Sequence, residues 1–272
     1  MAYKYLMMTT AFHFDYYHPM NYKPYPEDYW AKIQQTILDV NLAAKQQNSK
    51  AYAVFDADGT LWDMDLGENF FNFQIDQRCV DLPSHPWNHY LEMKKVNNDP
   101  RSAYLWLAQI NAGKSLDQVR NWAKQAFAAI QPVPIFTEQK KIIDLFHKNE
   151  IEVFIVTASI KWAVEPGAMA LGIDSDHVIG VETEVDGGLI TDKAILPITY
   201  KSGKLEALLK RTNNTMPFFA SGNTIGDIDL LNAATHLQLA VSAASRDDRI
   251  FQSENELLKI AELNNWLRHR FV

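Results

Sequence analysis

Two aspartates spaced i and i+2, Asp56 and Asp58, leave the apolar run Ala51-Tyr52-Ala53-Val54-Phe55 and enter the turn Gly59-Thr60. That arrangement suits phosphorus chemistry. One carboxylate can attack, the other can handle protons, and a divalent cation can hold both reactants. An unpaired carboxylate at the end of a core strand is costly to desolvate, so acids seldom cluster there. The bland alternative is a plain Asp-Gly turn, because both are ordinary turn residues. The rest of the chain decides between the two.

Further candidates follow two later apolar runs. Residues 151–156 lead into Thr157-Ala158-Ser159, and 217–220 lead into Ser221-Gly222-Asn223-Thr224-Ile225-Gly226-Asp227. Thr and Ser often cap the next helix, which explains one such ending but not three in succession. Ligands of parallel sheets bind outside the carboxyl ends of the strands. A shared edge there would gather all three clusters.

The elements that must position them can be read from spacing. A helix is expected over 26–47, with Trp30, Ile33, Ile37, Val40 and Leu42 at helical intervals, and a strand at 51–55. The stretch that follows is helical and aromatic-rich, with helices expected near 67–77, 102–111 and 115–130. The last opens with a Ser115…Gln118 capping box. Pro83, Pro86, Pro100 and Gly113 separate the pieces. An α/β rhythm resumes with a helix at 137–148, the strand 151–156 and a helix at 162–171. A hairpin is expected from 178–185 and 189–191 around Asp186-Gly187-Gly188. A helix at 202–211, the strand 217–220, a helix at 226–234 and a last strand at 237–241 complete it. Strands alternating with helices imply an α/β fold: a doubly wound, mostly parallel, Rossmann-like sheet with an inserted all-helical cap. The expected division is an N-terminal arm and helix at 1–50, an α/β core at 51–65 and 132–272, and the cap at 66–131. Residues 1–26, rich in Tyr, His, Pro and Met, are expected to form an irregular arm.

Asp56-x-Asp58-Gly59-Thr60, the strand ending in Thr157, Gly203-Lys204 opening a helix, and Gly222-x-x-x-x-Asp227 together resemble the four signature motifs of the haloacid dehalogenase superfamily. The order and the helical insert resemble its phosphoserine-phosphatase-like branch. The resemblance spans about residues 50–245. It implies that Asp56 is a nucleophile forming an aspartyl-phosphate and that Asp58 is the general acid and base. Thr157 would bond a phosphoryl oxygen, and Lys204 would neutralise charge. Gly59, Thr60, Ala158 and Ser159 would line the phosphate site. Mg2+ would bind Asp56, the Asp58 main-chain carbonyl and a fourth-motif carboxylate, an oxygen set that it prefers. Many members carry Asp where this chain has Asn223, which offers a carbonyl oxygen but no charge. Asp227 is therefore expected at the metal, with Asn223 a ligand or its partner. The second aspartate argues against dehalogenation. Lys201 competes with Lys204, but Lys204 starts the apolar-periodic helix (Leu205, Leu208, Leu209).

Substrate choice is less legible. In the serine-phosphate branch an acid beyond the first motif contacts the substrate ammonium, which points to Asp65 or Glu68. Glu68 also suits a helix's first turn. Trp87, Trp106 and Trp122 with Tyr90 and Tyr104 could form an aromatic cage for a choline-like cation, or simply the cap's own core. Arg78 and Arg101 are candidate phosphate or carboxylate contacts but read rather as surface charges, and Lys161 reads as a solvated helix-start charge. His85 and His89 are discounted as a metal pair because Pro86 disrupts a helical face.

Composition sets the bounds. At 272 residues, with 47% hydrophobic and 22% charged content, the chain is an ordinary globular protein. Its net charge of −7 gives no general attraction to nucleic acid or anionic lipid. One cysteine, Cys79, excludes an internal disulfide and suits a reducing compartment. No stretch approaches the roughly 18–20 apolar residues that cross a bilayer. The run Tyr5–Phe12 lacks a signal cleavage site, so a cytoplasmic location is expected. The expected activity is Mg2+-dependent hydrolysis of a small phosphorylated metabolite, with no nucleic-acid or membrane partner. The alternatives are a phosphotransferase or mutase sharing the intermediate, or a non-catalytic binding protein that keeps the fold.

Overall fold

In the middle of the sheet lies β1 (Tyr52–Phe55), apolar on both faces because both are covered. Ala53 and Phe55 enter one core cluster and Val54 the opposite one, the two-residue alternation of a strand. The computed structural model describes residues 22–47 and 49–272, so most of the expected irregular arm lies outside the described residues. Around β1 stand β2 (Glu152–Ile160), β3 (Val178–Val181), β6 (Phe219–Gly222), β7 (Leu237–Ser242) and β8 (Leu267–Arg270). The six pair in the order β3-β2-β1-β6-β7-β8, every pair parallel.

One face is covered by α1 (Glu27–Gln47), α6 (Thr137–Lys148) and α7 (Lys161–Ala170), through Ile33, Ile37, Ile142, Phe146 and Val164. The other is covered by α8 (Ser202–Arg211), α9 (Ile228–Ala233) and α10 (Phe251–Leu263), through Leu208, Leu230, Leu231 and Leu257. Between β1 and α6 the chain forms α2 (Leu66–Asp76), α3 (Pro86–Lys95), α4 (Arg101–Gln109) and α5 (Leu116–Ala128). These four bury Phe70, Phe71, Tyr90, Leu107 and Val119 in a cluster of their own, which extends to Ile160 and Trp162 of the core. The insert is fastened to α7 by a two-pronged ion pair, Arg120 Nε to Glu165 Oε2 at 2.8 Å and Nη2 to Oε1 at 2.7 Å.

Three elements differ from the sequence reading. Pro86 opens α3 instead of breaking it, because the first helical position needs no N–H donor. The expected strand over 178–185 is two: β3 joins the main sheet, and only β4 (Thr183–Asp186) pairs antiparallel with β5 (Leu189–Ala194). The sheet also continues past 241, through α10 into β8. Among the described residues, no helix is long and apolar enough to cross a membrane.

Candidate active site

β1 carries its ladder one residue past its end, the Asp56 N–H donating to the Ser221 carbonyl at 2.8 Å. This fixes Asp56, 6% exposed, at the carboxyl edge of the sheet. The chain then turns through Gly59 at φ +75°, and a Cβ there would lie 2.0 Å from Asn223 Nδ2. Glycine is required twice, by the backbone angle and by the approach of the Asn223 amide.

Lys204 stands in the first turn of α8, 3% exposed, with Nζ 2.5 Å from Asp56 Oδ1 and 2.6 Å from Asp227 Oδ1. Lys201 reaches neither carboxylate; its ammonium lies over the Tyr200 ring. Asp227 Oδ2 accepts the main-chain N–H groups of Asn223 (3.1 Å) and Thr224 (3.0 Å). Both Asp227 oxygens are thus engaged, one holding Lys204 and one closing the loop. Thr60, fully buried behind Asp56, offers its hydroxyl to Asp56 Oδ2 (3.1 Å) and to Asn223 Oδ1 (3.3 Å). One hydroxyl thus faces both oxygens.

Burial, then repulsion from Asp227, pushes the Asp56 carboxyl up to about 7, against the pull of Lys204. Burial works to lower the Lys204 ammonium, but Asp227 and Asp56 outweigh it and hold it charged. Asp58 is also raised by burial and drawn back by its hydrogen bonds. Its Oδ2 accepts the Ser159 hydroxyl, and its Oδ1 accepts Trp62 Nε1–H (2.8 Å) and the Leu66 N–H (2.9 Å). The last donor opens α2, so the acid is tied directly to the insert. Thr157 accepts the Ser159 N–H at 3.1 Å, leaving its own hydroxyl proton free to donate. Buried Thr199 donates to the Thr157 carbonyl, where β2 shifts register against β3.

These groups floor a cavity of about 460 Å³ with walls from both layers. Asp56, Asp58, Gly59, Thr157, Ala158, Ser159, Lys204, Asn223 and Asp227 line it; Thr60 lies behind it. Asp65 and, from the insert, Glu68, Tyr90, Lys94 and Tyr104 also line it, with Tyr200 and Arg249 of the core. Asp65 caps α2, its Oδ1 accepting the Glu68 N–H at 2.8 Å. Glu68 holds Arg249 at 2.6 Å and Lys94 at 3.5 Å. The Lys94 ammonium sits 4.9 Å from the Tyr90 ring centre and 5.5 Å from that of Tyr104.

Other candidates fall elsewhere. Trp87 and Trp106 pack edge-on against Phe71, and Trp122 packs against the same cluster, as the insert's core. Arg101 pairs with Asp99 on the surface, and neither it nor Arg78 lines the cavity. Lys161, read as a solvated charge, pairs with Glu182 at 3.6 Å in a mostly buried position. Residues the sequence reading missed include Arg249 and Glu254, both beyond the last expected strand. Buried Glu254 accepts Asn223 Nδ2–H at 2.9 Å. An acid on the apolar face of a helix was its only sequence signal.

The donors at the floor suit Mg2+: a carboxylate, an amide carbonyl and a main-chain carbonyl, all oxygen. Among the described residues no group of three or more His, Cys, Asp or Glu side chains is placed to hold a metal. A cation that keeps several waters and takes one or two protein carboxylates needs no such group.

The family model of the haloacid dehalogenase-like hydrolases matches residues 53–232. A curated relative, phosphorylcholine phosphatase of Pseudomonas aeruginosa, is 22% identical over 176 residues, covering 50% of each chain. This chain thus spans about half the length of that relative. Two solved structures are similar. A protein of unknown function from Bordetella pertussis Tohama I has a TM-score of 0.67 and 18% identity, with 82% of this chain and 100% of that one covered. A conserved protein from Anaerococcus prevotii has a TM-score of 0.66 and 14% identity, with 92% and 93% covered. At these identities the likeness is one of fold.

Proposed function

The chain belongs to the haloacid dehalogenase-like hydrolases, and from that premise we propose a Mg2+-dependent phosphatase acting on a small phosphomonoester through an aspartyl-phosphate on Asp56. The observation that carries this reading is the buried triad in which Lys204 bridges Asp56 and Asp227 at the cavity floor. A cation fixed there neutralises the phosphoryl group and keeps a crowded carboxylate available as a nucleophile.

Asp56 attacks phosphorus, and the ester oxygen leaves with a proton from Asp58, whose raised affinity for protons suits an acid. Asp58, now ionised, takes a proton from water, which displaces Asp56 and releases inorganic phosphate. The Thr157 hydroxyl donates to a phosphoryl oxygen, and the Ser159 hydroxyl holds Asp58. Mg2+ would be held by Asp56, the Asp58 main-chain carbonyl and Asn223 Oδ1, and it would offset the repulsion between nucleophile and ester. Asp227 then serves Lys204 rather than the metal. The same intermediate serves a phosphotransferase or mutase; both aspartates of the first motif speak against a purely binding protein.

The leaving group meets the insert. The related phosphatase is named for phosphorylcholine, yet Lys94 already occupies the face of the two tyrosine rings that a trimethylammonium group would use. Phosphocholine is therefore expected to be a poor substrate beside phosphomonoesters of uncharged or anionic alcohols. The test is phosphate release from a panel of phosphorylated metabolites and an aryl phosphate, with Mg2+ and with chelator. Release that needs Mg2+ is expected. No release from any of them, or release indifferent to chelator, would overturn the reading.

A further inference from the structure

We propose that Glu254 is a positioning residue for the cation: it fixes which end of the Asn223 amide faces the nucleophile and supplies, one bond further out, the negative charge that Asn223 lacks. This rests on the proposed Mg2+-dependent reading and goes beyond it.

Glu254 lies in the first turn of α10, fully buried. Four donors converge on it. Asn223 Nδ2 bonds Oε1 at 2.9 Å, while the Ser242 hydroxyl (2.7 Å), the Ala243 N–H (3.1 Å) and the Ala244 N–H (3.0 Å) bond Oε2. The Ser242 oxygen accepts from Arg270 Nη1 at 2.8 Å, so its own proton is directed at Glu254. The next residue back, Ser253, receives the Ile225 N–H at 3.2 Å. One turn of α10 thus grips the 223–227 loop at two points.

An amide presents either an oxygen or an NH2 group, and its surroundings choose. A carboxylate only accepts, so the end of Asn223 that meets Glu254 must be the NH2 group. Its oxygen is then turned toward the Thr60 hydroxyl, which also faces Asp56, on the side where a cation needs it. The buried charge of Glu254 lies behind that oxygen and polarises it. Outer partners of this kind orient ligands and raise their basicity. The site keeps a carboxylate, moved from position 223 to position 254.

A double-mutant cycle tests this, read as Mg2+ affinity by calorimetric titration of the phosphate-free protein. In Glu254→Gln three donors still converge on the inner end, so the new amide oxygen must face them and its NH2 must face Asn223. Two NH2 groups cannot bond each other. Asn223 turns over, and its nitrogen replaces its oxygen at the metal. Mg2+ affinity is expected to fall about 10- to 100-fold. Asn223→Asp alone sets two carboxylates face to face and is expected to bind Mg2+ no tighter than wild type, despite its added charge. Combining the two gives an acceptor facing a donor and an oxygen facing the metal, and should return affinity to within about threefold of wild type.

A purely structural Glu254 would not produce that rescue. Wild-type affinity in Glu254→Gln, or a double variant no better than the worse single one, would overturn the inference. Should Glu254→Gln not purify folded, Asn223→Asp carries the test alone, and a tenfold gain in affinity would overturn it. A wild-type protein that binds no Mg2+ would sink the proposed function and this inference together. Equal binding by wild type and Glu254→Gln would sink only the inference.

Discussion

The two ends of the cavity are built differently. At the end proposed to hold phosphate, Asp56, Thr157 and Asn223 sit on or just past β1, β2 and β6, and Lys204 sits in the first turn of α8. They are buried, and each charge meets its partner within hydrogen-bond distance. At the end proposed to meet the leaving group, long side chains of the insert and the loop after β7 pair with one another, as Glu68 does with the half-exposed Arg249. The first end has its geometry dictated by backbone. The second depends on how the two layers sit and on flexible stems. On the proposed reading, chemistry would be held by the rigid end and substrate choice by the adaptable one.

The largest effect should come from the rigid end. Asp56→Asn is expected to cut phosphate release by more than about 10⁴-fold; retained turnover with Mg2+ would break the covalent reading. The same change should stabilise the metal-free protein. The Asp56 carboxyl, raised to about 7 in the fold from about 3.9 in an unfolded chain, binds its proton more tightly when folded. Its contribution to stability is therefore lost as pH rises from about 4 through about 7. Thermal unfolding without Mg2+ should show a larger gain for Asp56→Asn at pH 8 than at pH 5. Equal gains at both would contradict the crowding.

At the adaptable end, Arg249→Ala should leave the fold nearly unchanged, since half-exposed ion pairs are worth under about 1 kcal/mol. It should raise KM by about three- to tenfold with a smaller change in kcat. A kcat loss as large as that of Asp56→Asn would erase the distinction between the two ends.

How much of this was readable in advance follows the same division. That Asp56, Asp58, Thr157 and Lys204 would line one cavity was legible because each stands close to a strand end or helix start. Asn223 and Asp227 were legible as a motif, but not their different partners, which depend on Asp227 folding back onto the loop. Arg249 and Glu254 were invisible: they follow β7, where apolar spacing weakens, and reach the site across 181 and 31 residues of sequence. Pro86 shows a local rule misapplied, for a proline that breaks a helix interior can also begin one.

The smallest expected effect lies outside both ends and serves as a reference. His269 packs against Tyr25 and Phe271, and burial lowers its affinity for a proton. The fold prefers it neutral, so its contribution is present at pH 7 and lost as pH falls below about 6.5. Urea unfolding of His269→Gln should show a smaller stability loss between pH 7 and pH 5 than wild type, by under about 1 kcal/mol. An identical loss would remove His269 from the balance.

The sequence by itself determined the parallel α/β sheet, the helical insert and the residues delivered to the sheet's carboxyl edge. Hydrophobic period and strand-end position are local properties, and they survive without knowing any contact. Tertiary structure decided what those residues face. It gave Lys204 two carboxylates, withdrew Asp227 into the loop, placed Lys94 over the tyrosines, and set Glu254 behind Asn223. Hydrogen-bond partners and electrostatic neighbours depend on separations of a few ångströms between residues far apart in the chain, and only packing fixes those.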